Sequence, residues 1–169
     1  MPELSVVVIG KDEGERLKRC LASVRQMAAP SGGIELIYVD SKSTDHSIQI
    51  AEQAGARATI LDTDRPTAGA ARNAGWRLAT APFVFFIDGD CAVDPSFAVR
   101  TLPEFRDDRI AVVFGRLRER HRETLFYDRM MEFDRFSPPP GPALYCAGVS
   151  IMRRSVLEAV NGFNPGLIA

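Results

Sequence analysis

The sequence predicts an α/β fold, with a mostly parallel sheet flanked by helices, and three observations support this prediction. Apolar runs rich in Val, Ile and Phe recur along the 169-residue chain. Segments with apolar residues at helical spacing lie between these runs, and the connections are long enough for right-handed crossovers. The composition, 46% hydrophobic and 25% charged, is that of a globular domain and excludes a disordered chain or a coiled coil.

The first half of the chain alternates strand and helix. Each strand prediction rests on a continuous apolar run, which is typical of strands buried on both faces of a parallel sheet. The first helix is predicted to begin at a capping pair, Asp12 with Glu15, and to continue through apolar residues at helical spacing to Val24. The predicted strands of this half are 4–9, 34–39, 58–61 and 83–87, and the other predicted helices are 44–54 and 66–80.

The second half has a weaker pattern. Asp94 and Pro95 predict an N-cap followed by Pro at the first helical position, and the helix would extend towards Glu104. No linker or repeat divides the chain, so we expect one domain over 1–169. The remaining predicted elements are a strand over 110–115, a helix over 125–136, a Pro-rich loop over 137–142, a strand over 145–152 and a short helix over 155–160.

Charge and hydropathy exclude several classes of protein. The chain has 21 Lys and Arg against 22 Asp and Glu, and this balance lacks the basic excess of a nucleic-acid-binding protein. The longest apolar run, 83–87, is far shorter than the roughly 20 residues that cross a bilayer, and the N-terminus does not resemble a signal peptide. We therefore expect a soluble cytoplasmic protein whose three cysteines are buried reduced thiols.

Polar residues follow the predicted strands, at the edge where an open α/β sheet binds ligands. Asp88 and Asp90 flank Gly89, which permits a tight turn in which both carboxylates face one divalent cation. Mg²⁺ and Mn²⁺ prefer such oxygen ligands and keep coordination positions open for a diphosphate. The alternative is that the two carboxylates only cap a turn.

Two further residues near this edge each allow two interpretations. Asp40 would accept a hydrogen bond from a ring N–H of a pyrimidine or guanine base, or it would form an Asx turn before the next helix, although Asp45 lies closer to that helix start. Arg72 would pair with a phosphate through its planar guanidinium, or it would point outward from the helix surface. The spacing leaves both choices open.

Four arginines occupy every second position of a short segment, so they would lie on one face if the segment is extended. They would bind a phosphorylated or membrane-surface acceptor, or they would form a solvated edge strand, which is the interpretation that we prefer. These residues are Arg116, Arg118, Arg120 and Arg122.

Taken together, four motifs resemble those of the family 2 glycosyltransferases, which have the GT-A fold. Two later segments extend the resemblance to the acceptor side. It implies a Rossmann-like, mostly parallel sheet flanked by helices, with a nucleotide-sugar-binding half over about 1–94 and a partial acceptor-side half over 95–169. The motifs are SVVVIGKDE at 5–13, VDSKSTD at 39–45, ARNAG at 71–75 and FIDGD at 86–90, and the later segments are 148–154 and 162–165.

The resemblance implies a reaction and its site. A sugar would pass, with inversion, from a UDP-, GDP- or dTDP-sugar to the hydroxyl of a glycan or lipid-linked acceptor, in cell-envelope polysaccharide synthesis at the inner face of the membrane. Asp90, with Asp88, would bind Mg²⁺ or Mn²⁺, which stabilises the leaving diphosphate. The residues implied in nucleotide-sugar binding are Ile9, Gly10, Glu13, Asp40, Arg72, Asp88 and Gly89.

The catalytic base stays unassigned. In this family the base generally follows a Gly-Phe-Asn-like segment, and the sequence stops seven residues after Gly162, so we expect a C-terminally truncated transferase that binds donor. A non-catalytic nucleotide-sugar-binding module, completed by a partner, is the alternative. A sugar nucleotidyltransferase and a dinucleotide oxidoreductase are disfavoured, because neither a Gly-rich triphosphate loop nor a G-x-G-x-x-G motif follows the first strand.

Overall fold

The computed structural model describes residues 1–116, 141–143, 146 and 148–166, and they form one mixed sheet with helices on both faces. The strand order is β3-β2-β1-β4-β6-β5. Strands β1 to β4 are parallel, whereas β6 runs antiparallel to both β4 and β5. The strands are β1 (Leu4–Gly10), β2 (Ile34–Asp40), β3 (Arg57–Ile60), β4 (Phe83–Asp88), β5 (Val112–Phe114) and β6 (Ser150–Arg153).

The helices pack on both faces of the sheet and form a separate core on each face. Alternate residues of β1 point to opposite faces, so Val6 and Val8 join the core beneath α1 and α2, while Val7 and Ile9 join the core beneath α3. The helices are α1 (Glu15–Gln26), α2 (Ser47–Gln53), α3 (Ala68–Leu78), α4 (Phe97–Thr101) and α5 (Arg154–Ala159), and a 3-10 turn, Leu102–Arg106, follows α4.

Helix α3 packs very close to the sheet because it carries glycine at its contact position. A Cβ atom on Gly75 would lie 2.2 Å from Cγ1 of Val7 and 3.2 Å from Cγ2 of Val39. This close approach fixes the height of α3 above β1 and β2, and with it the position of Arg72 and Asn73 on the same helix.

Strand register brings the polar strand ends together. Gly10 of β1 pairs with Asp40 of β2, and Ile9 pairs with Asp88 of β4. The carboxyl ends of the three central strands therefore meet at one edge of the sheet, as the sequence predicts.

The structure confirms the α/β class and the four parallel strands, and it corrects two helix starts. Asp12 does not cap α1: the N-cap is Gly14, without a side-chain bond, and Asp12 has a left-handed backbone with φ 53°. Helix α4 begins at Phe97 rather than Pro95, because the Asp94 carboxylate accepts hydrogen bonds from the backbone N–H and hydroxyl of Ser96 in a separate turn.

Other predicted boundaries shift by a few residues. Helix α2 begins at Ser47 rather than 44, and the strand predicted over 145–152 is described over Ser150–Arg153. Helix α3 begins at Ala68 rather than 66, because Thr67 is its N-cap: Oγ1 of Thr67 accepts the N–H of Ala70 at 3.1 Å. The predicted helix over 125–136, most of the Pro-rich loop and the arginines at 118, 120 and 122 lie outside the described residues.

Candidate functional site

The candidate site lies at the carboxyl edge of the sheet and is called the strand-end site. It is framed by loop 1 (11–14) after β1, loop 2 (41–46) after β2 and the turn 88–91 after β4. Ile9 is buried in the core beneath α3, and its carbonyl accepts the N–H of Gly89 at 2.8 Å. The residues implied in nucleotide-sugar binding thus meet at one edge of the molecule.

Loops 1 and 2 are joined by a set of hydrogen bonds. Oδ1 of Asp12 accepts the backbone N–H of Thr44 at 2.6 Å and its hydroxyl at 3.1 Å. The N–H of Asp12 donates in return to Oγ of Ser43 at 2.8 Å. Oγ of Ser47 accepts the N–H groups of Glu13 and Gly14 at 3.2 and 3.3 Å.

These loop contacts were missed by the sequence analysis. Ser47, the first residue of α2, binds the two N–H groups that precede α1, whose N-cap Gly14 makes no side-chain bond. The only sequence signal is the density of hydroxyl and carboxylate side chains over 40–47, each of which bonds readily to nearby backbone. The two loops are consequently fixed with respect to each other.

Asp40 is fully buried at the end of β2. Its oxygens accept hydrogen bonds from the Tyr38 hydroxyl at 3.0 Å, from the backbone N–H of Ser43 at 2.7 Å and from the Ser43 hydroxyl at 2.6 Å. Burial, and then the adjacent Asp40 charge, raise the pKa of Tyr38. Asp40 therefore forms the turn that the second interpretation describes. Because Oδ1 accepts two of these hydrogen bonds and Oδ2 only one, a base N–H would have to bind the remaining lone pair of Oδ2.

Glu13 packs over the two glycines of the site. A Cβ atom on Gly10 would lie 2.9 Å from Cγ of Glu13, and one on Gly89 would lie 3.1 Å from the same atom. Burial raises the pKa of Glu13; Arg16, whose Nε lies 2.9 Å from Oε2, opposes this shift, and Asp90, Asp45 and Asp88 add to it. The site therefore concentrates negative charge around a partly desolvated carboxyl group.

Arg72 points into the site and not outward from α3. Its Nη2 lies 2.8 Å from Oδ1 of Asp88, and the side chains of the two residues are 12% and 42% exposed. The backbone before β6 closes over this pair, since a Cβ atom on Gly148 would lie 3.0 Å from Nη2 of Arg72 and 3.1 Å from Oδ2 of Asp88. The outward orientation considered for Arg72 is therefore wrong.

Asp90 is exposed beside two thiols. Sγ of Cys91 donates to Oδ1 of Asp90 at 3.4 Å, and Sγ of Cys20 donates to the carbonyl of Asp88 at 3.7 Å. Backbone bonding closes the turn, from the N–H of Cys91 to the carbonyl of Asp88 at 3.0 Å. The carboxylates of Asp88 and Asp90 do not cap this turn, so the turn-cap interpretation of the pair is not supported.

The donor chemistry at this turn fits a hard divalent cation. Asp88 and Asp90 offer carboxylate oxygens, and Asp90 is open to solvent. Over the described ranges, no group of three or more His, Cys, Asp or Glu side chains is placed to hold a metal ion. A cation bound to one or both aspartates would complete its coordination with donor phosphates and water, as Mg²⁺ commonly does.

The turn 162–165 is seated on α3 next to the site. The Asn73 side-chain amide donates to the carbonyl of Phe163 and accepts its N–H, both at 2.8 Å, and it also accepts the indole N–H of Trp76 at 3.0 Å. Oγ1 of Thr67 donates to the carbonyl of Pro165 at 3.1 Å. The sequence does not predict this bonding role of Asn73; the signal for it is the position of Asn73 beside Arg72 in ARNAG.

No described helix has the length and apolar character needed to cross a bilayer, a finding that covers the described residues alone.

Sequence comparison identifies relatives with named activities. A glycosyltransferase AglE of Haloferax volcanii is 25% identical over 119 residues, which cover 68% of this chain and 39% of that protein. A putative glycosyltransferase EpsH of Bacillus subtilis is 29% identical over 115 residues, 66% of this chain and 33% of that protein. The chain thus spans less than half the length of these relatives.

Solved structures share the fold over nearly the whole chain. TarS 1–349 of S. aureus in complex with UDP matches with a TM-score of 0.73 at 21% identity, covering 100% of this chain and 52% of that one. The mannosyltransferase PcManGT of Pyrobaculum calidifontis, in complex with GDP-Man and Mn²⁺, matches with a TM-score of 0.73 at 21% identity, covering 98% and 48%. The fold is therefore the GT-A fold of these glycosyltransferases.

The model of the family described as glycosyl transferase family 2 matches residues 5–160. This span contains all four strand-end motifs and the antiparallel strand β6. The chain therefore belongs to glycosyl transferase family 2.

Proposed function

We propose that the chain is the donor-binding part of an inverting, metal-assisted glycosyltransferase that moves a sugar from a nucleoside diphosphate sugar to an acceptor hydroxyl. The observation that carries the proposal is the convergence of Arg72, Asp88 and the exposed Asp90 at the carboxyl edge of the sheet. Of the structural neighbours, TarS was solved with UDP and with UDP-GlcNAc, and PcManGT with GDP-Man and Mn²⁺.

Each strand-end residue has a role in this proposal. Arg72 binds the diphosphate through its guanidinium fork. Ile9, Gly10, Glu13 and Gly89 form the floor under the nucleotide, where the glycines let the ligand approach the backbone. Asp40 accepts a ring N–H, which favours uracil, thymine or guanine over cytosine, whose N3 is an acceptor.

Asp90, together with Asp88, would hold Mg²⁺ or Mn²⁺. A bound cation would supply Lewis-acid stabilisation of the leaving diphosphate. The two carboxylates supply the negative charge that would attract the cation. Its positive charge would offset the repulsion that Asp90 and Asp88 exert on the partly buried Glu13.

In this proposal the two halves of the chain have different roles. Residues of about 1–94 bind the nucleotide sugar, and 95–169 contribute part of the acceptor side. The acceptor is a glycan or a lipid-linked hydroxyl in cell-envelope synthesis, reached by peripheral contact at the cytoplasmic face of the membrane. The residue that takes the acceptor proton is left unassigned.

Calorimetric titration tests donor binding. UDP, dTDP, GDP and CDP are titrated into the chain with and without Mn²⁺. With Mn²⁺ present, at least one of the three nucleotides with a ring N–H should bind about tenfold or more tightly than CDP. Cytosine has no ring N–H to donate to Asp40, and a buried polar group without its partner costs about 1–3 kcal/mol. The absence of binding by all four would overturn it.

An assay for released or transferred sugar separates an enzyme from a binding module. A matching nucleotide sugar is incubated with Mn²⁺, and release of free sugar or nucleoside diphosphate is followed. Turnover supports transferase chemistry in this chain, whereas tight donor binding without turnover supports the non-catalytic module.

A further inference from the structure

We propose that Arg72 is an exchangeable partner: it pairs with Asp88, as in the structure, until donor binds, and it then moves to the donor diphosphate, which would free Asp88 for the cation. The inference rests on the proposed function and adds to it a residue-level coupling between donor and metal. The coupling is located in one ion pair, Arg72 with Asp88.

Arg72 is engaged by Asp88 in the structure. Its side chain is largely covered, at 12% exposed, and Nη2 donates to Oδ1 of Asp88 at 2.8 Å. Gly148 leaves no room for a side chain above the pair, so the backbone before β6 lies against both charged groups. A diphosphate that needs this guanidinium must therefore compete with the Asp88 carboxylate.

Asp88 is occupied by the same contact. One of its oxygens accepts the guanidinium N–H, and the positive charge nearby disfavours a second cation on the same carboxylate. The Asp88 side chain is nevertheless 42% exposed, so part of it remains open to solvent. Asp90 has no cationic partner among the described residues and remains the first carboxylate that a cation meets.

The exchange couples the two ligands. A diphosphate satisfies Arg72 better than a single carboxylate, because it offers more oxygens to the planar fork. The carboxylate released in this way would be free to hold the cation together with Asp90. By linkage, each ligand must strengthen the binding of the other by the same factor.

The alternative role of Arg72 is permanent positioning of Asp88. In that case, removing Arg72 would disorder Asp88 and weaken cation binding. The exchange predicts the opposite sign, because removal of Arg72 frees a carboxylate.

The first test measures Mn²⁺ binding without nucleotide. Arg72→Met is compared with Arg16→Met, which removes an equal charge whose partner is Glu13 and not Asp88. The exchange predicts that Arg72→Met binds Mn²⁺ about three- to tenfold more tightly than the unmodified chain, a change clearly larger than that of Arg16→Met. An unchanged or weaker affinity in Arg72→Met would contradict it.

The second test measures nucleotide binding without metal. Asp88→Asn and Asp90→Asn each remove one carboxylate from the same turn, but only Asp88 holds Arg72. The exchange predicts that metal-free affinity for the best-binding nucleoside diphosphate rises about three- to tenfold in Asp88→Asn and clearly less in Asp90→Asn. Equal changes in the two variants would show a general charge effect and overturn the exchange.

The two tests separate this inference from the proposed function. If the unmodified chain binds no nucleoside diphosphate under any condition, the proposed function fails and the exchange fails with it. If the unmodified chain binds nucleotide with Mn²⁺ but the variants show the contradicting results, only the exchange fails. Should Arg72→Met not fold, the comparison of Asp88→Asn with Asp90→Asn decides alone.

Discussion

The side-chain amide of Asn73 pairs with the backbone of Phe163 as one peptide group pairs with another, donating to its carbonyl and accepting its N–H at 2.8 Å each. Asn73 is buried, and the indole N–H of Trp76 donates to the same amide oxygen at 3.0 Å. The ring of Phe163 meets Phe86 of β4 edge-on, with ring centroids 5.1 Å apart. Helix α3 thereby connects the turn 162–165 to the strand-end site.

Asn73→Ala should lower the free energy of unfolding by about 2–4 kcal/mol, because it leaves a backbone N–H, a backbone carbonyl and an indole N–H without their partner. Urea denaturation measures the change. Asn164→Ala is the matched control from the same turn: its exposed side chain accepts one N–H, from Gly166 at 2.9 Å, which water can replace. Similar losses in the two variants would show that the Asn73 contacts are not the source of stability.

Gly162→Ala should destabilise the fold much more than Gly55→Ala. Both glycines have a left-handed backbone, with φ values of 76° and 73°, so both substitutions carry a similar strain of about 1–2 kcal/mol. A Cβ atom on Gly162 would in addition lie 2.2 Å from Oδ1 of Asn73, whereas nothing lies within 4 Å of one on Gly55. We expect an extra cost of about 1–3 kcal/mol for Gly162→Ala.

Thermal or urea unfolding of the two glycine variants checks this difference. Equal destabilisation would mean that the turn 162–165 moves freely away from α3, contrary to the seating described above.

Glu13→Gln should stabilise the fold at neutral pH and have little effect in acid. Burial holds the pKa of Glu13 above its ordinary value of 4.5 in the folded protein. A raised acid pKa means that the folded state binds the proton more tightly, so the protonated carboxyl favours folding, and this contribution is lost as the pH rises through the folded pKa. The charged Glu13 is thus a net cost at neutral pH, and the neutral amide removes it.

Urea unfolding at about pH 4 and about pH 8 measures this effect. The stabilisation by Glu13→Gln should grow with pH between these values. Glu15→Gln, an exposed carboxylate in the first turn of α1, is the control. A Glu13→Gln variant that is less stable than the unmodified chain at the higher pH would contradict the assignment of desolvation as the main cause.

The three thiols should react with a disulfide reagent at very different rates. Burial raises the pKa of Cys20 to about 12, and burial together with the neighbouring Asp90 raises the pKa of Cys91 to about 12, so both lack thiolate at neutral pH. Cys146 is exposed. We expect one fast phase that Cys146→Ser removes, a slow phase from Cys91, and reaction of Cys20 only on unfolding; a fast phase that survives in Cys146→Ser would refute this order.

The sequence was sufficient to predict the central sheet, because buried parallel strands have continuous apolar runs that leave few alternatives. It also predicted which polar residues meet, since the carboxyl ends of parallel strands necessarily lie at one edge.

What the sequence did not predict are contacts between distant residues. Asp12 and Glu15 match a capping box, but Thr44 and Ser43 from another loop compete for Asp12, and no local pattern contains that competition. The pairing of Asn73 with Phe163 spans 90 residues. The inward direction of Arg72 depends on the rotation of α3 about its own axis, which is set by Gly75 against Val7.

The most direct test of the account is the Mn²⁺-dependent affinity for the best-binding nucleoside diphosphate, measured by calorimetry in the unmodified chain, in Asp90→Asn and in Asp94→Asn. Asp94 is an exposed aspartate in a nearby turn whose carboxylate bonds only to Ser96 among the described residues, which makes it the matched control. The account predicts that Asp90→Asn abolishes most of the Mn²⁺-dependent gain in affinity, about tenfold or more, while Asp94→Asn keeps it. A full Mn²⁺-dependent gain in Asp90→Asn would contradict the strand-end site as the donor and metal site of this glycosyltransferase domain.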